Sequence, residues 1–379
     1  MKMNLLFRTW AGPVLFLAVL FLSSCAPKSL YVGAGGNDAD TGKSERAAFK
    51  TLTKALEAAS KLKKDCTIVV AGVLSVETEG GAGDSVFLAD GTGEAVITIS
   101  GKAGAEGDRR AVLSGAGASL PVLLIRNNAQ IRLENIEVSG ASDGNDGIVV
   151  TEGSTLTLGP GVKVSDHSGA GIVASNNAAM VMEGGEISGN QNRGVEIATT
   201  DSTFVLKGGK ISNNKAPGQW GAGVHSYGAF TMEGGEISEN LADKTGRGGG
   251  VCVDEESTFT LRGGKIVNNR SEGFSSRNGG VGNAGGGGVV VSGCANGTTF
   301  IMEGGEISGN SAERFGGGIL FITNEAELGT FTMSGGTISG NTARGGGGVC
   351  NYGGRFTVTL SGGEISGNTP DDITDGWNW

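Results

Sequence analysis

The chain has 379 residues, of which 72 are glycine and only 6 are proline, and its net charge is −10. Glycine at this level without a collagen period is typical of a turn-rich repeat fold. The acidic charge argues against nucleic acid as a partner and against a general attraction to anionic lipid. The five cysteines fit no metal motif, so we expect neither a metal site nor a cofactor.

Residues 1–24 have the features of a secretion signal. Lys2 and Arg8 flank an apolar run that ends at Leu22-Ser23-Ser24-Cys25 and is too short to predict a membrane span. These four residues resemble the lipobox of bacterial lipoproteins. The resemblance implies a lipid on Cys25, with residues 25–30 as a lipidated N-terminus and short tether to the membrane. The alternative is an ordinary signal peptide in which the cysteine has no role.

Residues 31–66 are predicted to form an N-terminal cap. A strand and a glycine-rich loop precede an amphipathic helix with Phe49, Leu52, Leu56 and Ala59 on one face, which we expect to cover the open end of the repeats that follow. The stretch from Tyr31-Val32 through Gly36-Asn37-Asp38 to Phe49-Lys50-Thr51-Leu52 resembles the opening of pectate-lyase-like proteins. That resemblance implies a parallel β-helix downstream.

Residues 67–368 contain a repeated stretch that is clearest as Glu303-Gly304-Gly305-Glu306-Ile307-Ser308-Gly309-Asn310. Its seven copies begin at Glu183, Lys207, Glu233, Arg262, Glu303, Ser334 and Ser361. Each unit of about 25 residues also holds a Phe-Thr-Met and a Gly-Gly-Val segment, and all three segments read as short strands. The pattern predicts an all-β, right-handed parallel β-helix of roughly ten to twelve coils, closed by a C-terminal cap at residues 369–379.

The asparagine that closes each copy recurs at equivalent positions: Asn190, Asn214, Asn240, Asn269, Asn310, Asn341 and Asn368. Asparagine suits turns, and stacked amides can bond one another. We therefore interpret this column as a structural ladder rather than a polar binding site, with His167 in the same position on an earlier coil. Charges beside the Gly-Gly turn alternate in sign, as in Glu186, Lys210 and Glu236, which favours attraction between stacked coils.

Period-2 alternation around Gly-Gly-Val predicts a column outside the tube. Its members are Val149, Val173, Glu196, His225, Cys252, Val290, Leu320 and Cys350. We interpret this partly apolar stripe as a contact surface. His225 and Cys252 would be neighbours in it, but no third group that could orient a catalytic pair is evident, so we predict no catalytic residue.

The turn after the asparagine ladder varies in length more than the others, and insertions in repeat proteins often build the binding face. The best binding candidates are Trp220 in a short insertion and Phe274, Arg277 and Asn278 in a long one. Passive glycine-rich loops are the alternative interpretation.

The same fold carries polysaccharide lyases and glycoside hydrolases, so an enzyme is the alternative function. Their chemistry needs clustered carboxylates with a basic residue or calcium on one outer face. The candidate acids are Asp143, Asp146, Asp254, Glu255 and Glu256. The sequence does not place them in line with Arg or Lys on other coils, which favours a non-enzymatic role.

Residues Ile307–Ile319 and Ile338–Val349 resemble the repeats of polymorphic outer-membrane proteins, and the likeness extends over about residues 180–370. This chain has isoleucine and glycine where that family has an aromatic residue and alanine. The resemblance implies an adhesin or surface structural protein at the outer membrane or cell surface. Here the lipid on Cys25 would hold the chain to the membrane, and a host or cell-surface protein or glycan would be the ligand.

Overall fold

The computed structural model describes residues 28–76, 86–102, 110–117, 120–243, 245–272, 285–293, 297–322, 329–352 and 356–375. Within these ranges the chain is almost entirely strand, with one 3-10 helix, Glu45–Ala47, and one α-helix, Leu52–Ser60. The strands form three long sheets, A, B and C, and a short sheet D. Residues 1–24, predicted to be a secretion signal, and Cys25 lie outside the described residues.

Each coil contributes one strand to each long sheet. Sheet A contains Lys28–Gly33, Cys66–Ala71, Val96–Gly101, Gln130–Glu134, Thr155–Leu158, Ala179–Met182, Thr203–Leu206, Ala229–Met232, Thr258–Leu261, Thr298–Met302, Gly329–Met333 and Phe356–Leu360. Sheet B contains Val73–Ser75, Ala111–Ser114, Ile136–Ser139, Lys163–Ser165, Glu186–Ser188, Lys210–Ser212, Glu236–Ser238, Lys265–Val267, Glu306–Ser308, Thr337–Ser339 and Glu364–Ser366. Sheet C contains Phe87–Asp90, Leu123–Arg126, Ile148–Val150, Ala170–Ala174, Arg193–Ile197, Val224–Ser226, Val251–Val253, Val289–Ser292, Ile319–Ile322, Val349–Tyr352 and Ile373–Asp375.

Neighbouring strands pair in parallel throughout, as in Ile187 with Ile211 and Val224 with Val251. The predicted parallel β-helix with three strands per coil is therefore confirmed. The first strand already begins at Lys28, inside the segment interpreted as a tether.

The core of the tube consists of stacked identical side chains. Phenylalanines of successive sheet A strands are in register and fully buried: Phe204, Phe230, Phe259, Phe300 and Phe331. Their ring centroids lie 4.8–5.2 Å apart. This is close to the spacing of neighbouring strands, so the stacking follows directly from the coil geometry.

The N-terminal helix begins at Leu52 rather than near Phe49. Thr51 is its N-cap, and the Thr51 Oγ1 accepts a hydrogen bond from the Lys54 amide at 3.2 Å. Phe49 instead forms a bridge with Val32 in the first strand and is buried there. The buried helix face consists of Leu52, Ala55, Leu56 and Ala59. It packs on the first strands of sheets A and C, so it covers the start of the tube.

Two glycines precede each of four sheet C strands, those that begin at Val251, Val289, Ile319 and Val349, because two different neighbours approach these positions. A Cβ on Gly318 would lie 3.0 Å from Asn341 Nδ2, so this position faces the asparagine ladder. A Cβ on Gly317 would lie 2.4 Å from the carbonyl oxygen of Thr342, which belongs to a segment outside the tube. The second contact shows that another layer of chain lies against sheet C.

The alternating charges lie in register in sheet B, as predicted. Lys210 and Glu236 form an ion pair at 3.2 Å, and Lys265 and Glu306 form one at 3.0 Å. These side chains are exposed, so each pair contributes less than about 1 kcal/mol. Glu183 pairs at 2.9 Å with Arg132, which the sequence analysis did not single out.

The C-terminal coil leaves part of its apolar interior open. Ile373–Asp375 pairs in parallel with Val349–Asn351, so the chain continues sheet C here and does not cross the end of the tube. An apolar cavity of about 350 Å³ opens at this end. Three of its lining residues, Val358, Leu360 and Ile373, are 42–50% exposed. The tryptophans at 377 and 379 lie outside the described residues.

Candidate functional site

The variable turns after the ladder asparagines build a second layer outside sheet C. In sheet D, Leu241–Ala242, Arg270–Ser271 and Ser311–Ala312 pair in parallel. Single bridges extend this pairing to Lys215, Thr342 and Thr369. We call residues 215–221, 241–243, 245–248, 270–272, 311–316, 342–345 and 369 the covering layer.

The covering layer buries most of the outer stripe. From His225 onward its members are at most 3% exposed: His225, Cys252, Val290, Leu320 and Cys350. Trp220, Phe315 and Tyr352 pack against the apolar members. The interpretation of this part of the stripe as a contact surface is therefore wrong, because the described parts of the insertions pack over these residues. Val149, Val173 and Glu196, on coils before the covering layer, remain half-buried.

Arg193 lies where the covering layer ends. Its Nη1 forms an ion pair with Glu196 Oε1 at 2.5 Å, and its Nη2 donates a hydrogen bond to Gln219 Oε1 at 3.3 Å. The guanidinium is buried, and its Nε has no hydrogen-bond partner among the described residues. Arg193 thus links the open coils to the edge of the covering layer. We call Asp146, Arg193, Glu196, Trp220, His225 and Tyr227 the edge site.

Asp146 lies in the same column as Arg193, two coils away. Ala170 lies between them: its amide donates to Asp146 Oδ1 at 2.8 Å, and Ala170 pairs in register with Arg193. Burial raises the pKa of Asp146, Glu196 raises it further, and Arg193 opposes both. The conclusion that no candidate acid lines up with an arginine is therefore wrong for Asp146. In this column Ala170 is followed by Arg193 on the next coil. That change from a small residue to arginine was the sequence signal that could have revealed the alignment.

His225 is enclosed by aromatic rings. The Tyr227 ring centroid lies 4.6 Å from the imidazole and the Trp220 centroid 6.3 Å. Neither ring nitrogen forms a hydrogen bond with a described residue. Burial, with a smaller effect of Arg193, lowers the pKa of His225 to about 3, so the ring is neutral near pH 7.

Cys252 is the next residue of the column after His225. Burial raises the pKa of its thiol, and the nearby Asp254 raises it further. A neutral imidazole beside a protonated thiol does not provide an activated nucleophile. The two residues are neighbours, as the sequence predicts, but in a buried structural setting.

Trp220, the binding candidate in the short insertion, lies half-buried at the edge of the covering layer. The Arg247 guanidinium is 4.7 Å from its ring centroid, and the two residues form a backbone bridge. Tyr227 packs against the other side of this site, on His225. Burial and the Asp254 carboxylate raise the pKa of Tyr227 to about 12. The other three candidates, Phe274, Arg277 and Asn278, lie outside the described residues.

The ladder asparagines bond one another inside the tube. Asn240 Nδ2 donates to Asn269 Oδ1 at 2.9 Å and to the carbonyl of Ile211 at 3.0 Å. The same pattern runs from Asn190 to Asn341, and all members are buried. At the earlier coil, His167 Nδ1 accepts from the Ala141 amide at 3.1 Å. The amide groups are thus occupied within the protein.

Over the described ranges, no group of three or more His, Cys, Asp and Glu side chains is arranged to hold a metal ion. The helices in these ranges are too short or too polar to cross a membrane.

Comparison with known families agrees with the architecture. The family model described as right handed beta helix region matches residues 122–295, a little under half of the chain. Together with the parallel sheets it confirms the predicted right-handed parallel β-helix. Searches of curated proteins and of solved structures gave no significant match.

The two buried histidines predict that the protein loses stability on mild acidification. Burial lowers the pKa of His167 to about 4 and that of His225 to about 3. Between these values and the ordinary value near 6.5, the unfolded chain holds a proton that the native chain does not. Stability therefore falls as the pH drops below about 6.5, by about 1.4 kcal/mol per pH unit for each histidine.

Urea unfolding at pH 6.5, 5.5 and 4.5 measures this dependence. His225→Phe and His167→Asn should each remove about half of the histidine contribution to the slope. Asp146 and Asp254, whose pKa values burial raises, act in the opposite direction in all three chains. Equal slopes for the two variants and the parent would show that the histidines are not buried in neutral form.

Proposed function

We propose that the protein is a lipid-anchored cell-surface rod, a non-enzymatic adhesin or surface structural protein. The observation that carries the proposal is the covering layer. Its segments differ in length from coil to coil, whereas the stacked core and the asparagine ladder repeat almost unchanged. Variable chain on a constant scaffold is the usual arrangement of a binding face in a repeat protein.

The lipobox-like residues and the entry of the chain support the anchored state. Only two residues separate Cys25 from Lys28, where the first strand begins. A lipid on Cys25 would therefore hold the first coil against the membrane, at the outer membrane or cell surface. The ligand would be a protein or glycan of a host or neighbouring cell, contacted by the covering layer and the half-buried Trp220.

Protease treatment of intact cells, with detection of the full chain, tests the location. We expect the protein to be degraded while a periplasmic marker stays intact. We expect Cys25→Ala to abolish palmitate labelling and to release the protein from the membrane fraction in a high-salt wash, which removes electrostatic contacts. Protection of the protein together with the marker would contradict the surface role. Binding to host proteins and glycans then follows with Trp220→Ala, and the exposed Gln191→Ala is the control.

A polysaccharide lyase or glycoside hydrolase is the second candidate, and the edge site favours it. Asp146 and Glu196 both lie close enough to Arg193 for their charges to interact, and the pKa of Asp146 is raised. A buried carboxyl group with a raised pKa beside a second carboxyl group is the kind of pair used in general acid–base catalysis. The purified chain is assayed on acidic and neutral polysaccharides. Cleavage that Glu196→Gln and Asp146→Asn abolish would establish the enzyme.

A further inference from the structure

The charge of the chain is unevenly distributed along the rod. Residues 28–65 carry eight basic and five acidic side chains, whereas residues 66–379 carry 19 basic and 34 acidic ones. The N-terminal cap is therefore positive although the whole chain is strongly negative. The argument from net charge against anionic lipid applies to the rod but not to this cap.

Four of these eight basic residues gather at the corner where the chain enters the first coil. Lys61, Lys63 and Lys64 follow the C-terminal end of the helix and are exposed. Lys28 begins the first strand and pairs in register with Cys66, two residues after Lys64. The positive charges of Lys28 and Lys64 both lower the pKa of the Cys66 thiol, against the larger effect of burial. We call these four lysines the basic corner.

The basic corner is not neutralised by neighbouring acids. None of its lysines forms an ion pair within the described part of the chain, whereas nearby Lys54 and Lys102 pair with Glu57 and Glu45. Asp65 is the one acid in the segment from Lys61 to Asp65, and its Oδ1 accepts a hydrogen bond from the Val96 amide at 2.9 Å. Lys61, Lys63 and Lys64 are exposed and Lys28 is half-buried, so the positive charge of the basic corner is accessible from solvent.

We propose that the basic corner is a contact surface for the anionic headgroups of a lipid bilayer. The proposal rests on the lipid anchor at Cys25, because the anchor determines which end of the rod faces the membrane. Three residues of extended chain span about 10 Å, so Lys28 lies within roughly one Debye length of the headgroups. Lys61, Lys63 and Lys64 lie at the same end of the tube, next to the strand that pairs with Lys28. Each lysine near an anionic surface strengthens membrane binding about fivefold.

The same charge distribution orients the rod. The anionic membrane attracts the basic corner and repels the acidic body, so the rod stands away from the bilayer. The covering layer and the C-terminal coil then project outward, where a partner on another cell can reach them. The lipid and the basic corner act as the two signals that stable membrane attachment requires.

Flotation with vesicles tests the basic corner separately from the anchor. The probe is the unlipidated mature chain, residues 26–379, which keeps every described residue. Vesicles contain phosphatidylcholine alone or with phosphatidylglycerol. We expect binding to the mixed vesicles alone, weakened by salt, and reduced on the order of 100-fold by the triple change Lys61→Gln, Lys63→Gln and Lys64→Gln.

A matched triple variant of the rod, Lys207→Gln, Lys210→Gln and Lys265→Gln, removes the same charge elsewhere and should bind like the parent. Equal binding to both kinds of vesicle, no binding to either, or equal losses in the two triple variants would overturn the proposal. Palmitate labelling of the full chain reports on the anchor itself. A failed anchor and a failed basic corner therefore give different results.

Discussion

Replacing Asn240 by alanine should lower the free energy of unfolding by about 3 kcal/mol or more. The Asn240 side chain donates to the carbonyl of Ile211 and accepts from both the amide and the Nδ2 of Asn214. Alanine leaves these three buried partners without it, and each unsatisfied buried group costs about 1–3 kcal/mol. Bulk water does not contact these partners in the folded chain, because the ladder is enclosed in the tube.

The measurement is the midpoint and slope of urea unfolding. Gln191→Ala is the matched control, since the Gln191 side chain is exposed and its hydrogen bond within the described part of the chain goes to the carbonyl of Gly189 at the surface. We expect the control to change stability by less than about 0.5 kcal/mol. A similarly small change for Asn240→Ala would mean that the ladder contributes to register but not to stability.

The repeating features could be predicted from the sequence because stacking repeats every contact. Phe230 contacts Phe259 for the same reason that Phe259 contacts Phe300, so an equivalent position in the sequence becomes a neighbour in space. The asparagine ladder and the alternating charges follow from the same rule. Such features need only the period and the alternation of side chains.

The covering layer could not be predicted from the sequence because its segments do not repeat with a constant period. Its segments differ in length, and whether an insertion extends into solvent or folds onto the tube depends on contacts across coils. Burial of the outer stripe was missed for this reason. One clue was present: glycine is needed at Gly287 and Gly317 only if another backbone lies against them. The edge site was not predicted for a similar reason. Arg193 differs from the residues at equivalent positions on other coils, so the repeat pattern does not identify it.

The start of the N-terminal helix also could not be predicted from periodicity alone. Phe49 has the spacing of the apolar helix face, yet it serves the first strand through its bridge with Val32. The Thr51 cap then sets the start of the helix at Leu52. Helical periodicity identifies an apolar residue but does not say which element it packs with, whereas the capping residue is a local signal.

Gly317→Ala should detach part of the covering layer. The added Cβ would lie 2.4 Å from the carbonyl oxygen and 2.6 Å from the amide nitrogen of Thr342, and 2.7 Å from the carbonyl oxygen of Gly347. All three atoms are backbone, so none can rotate away. We expect a loss of about 3 kcal/mol or more, at the upper end of the cost of overpacking. Leu320, now fully buried, would become accessible.

Hydrogen exchange of residues 311–316 and 342–345 measures the detachment directly. Gly35→Ala is the control, because a Cβ there meets no atom within 4 Å and the backbone is not left-handed. If Gly317→Ala leaves exchange in the covering layer unchanged, the layer is not held by its contact with sheet C. If exchange accelerates and ligand binding is lost while vesicle binding by the basic corner persists, the covering layer is the binding face and the N-terminal cap is the membrane end of the rod.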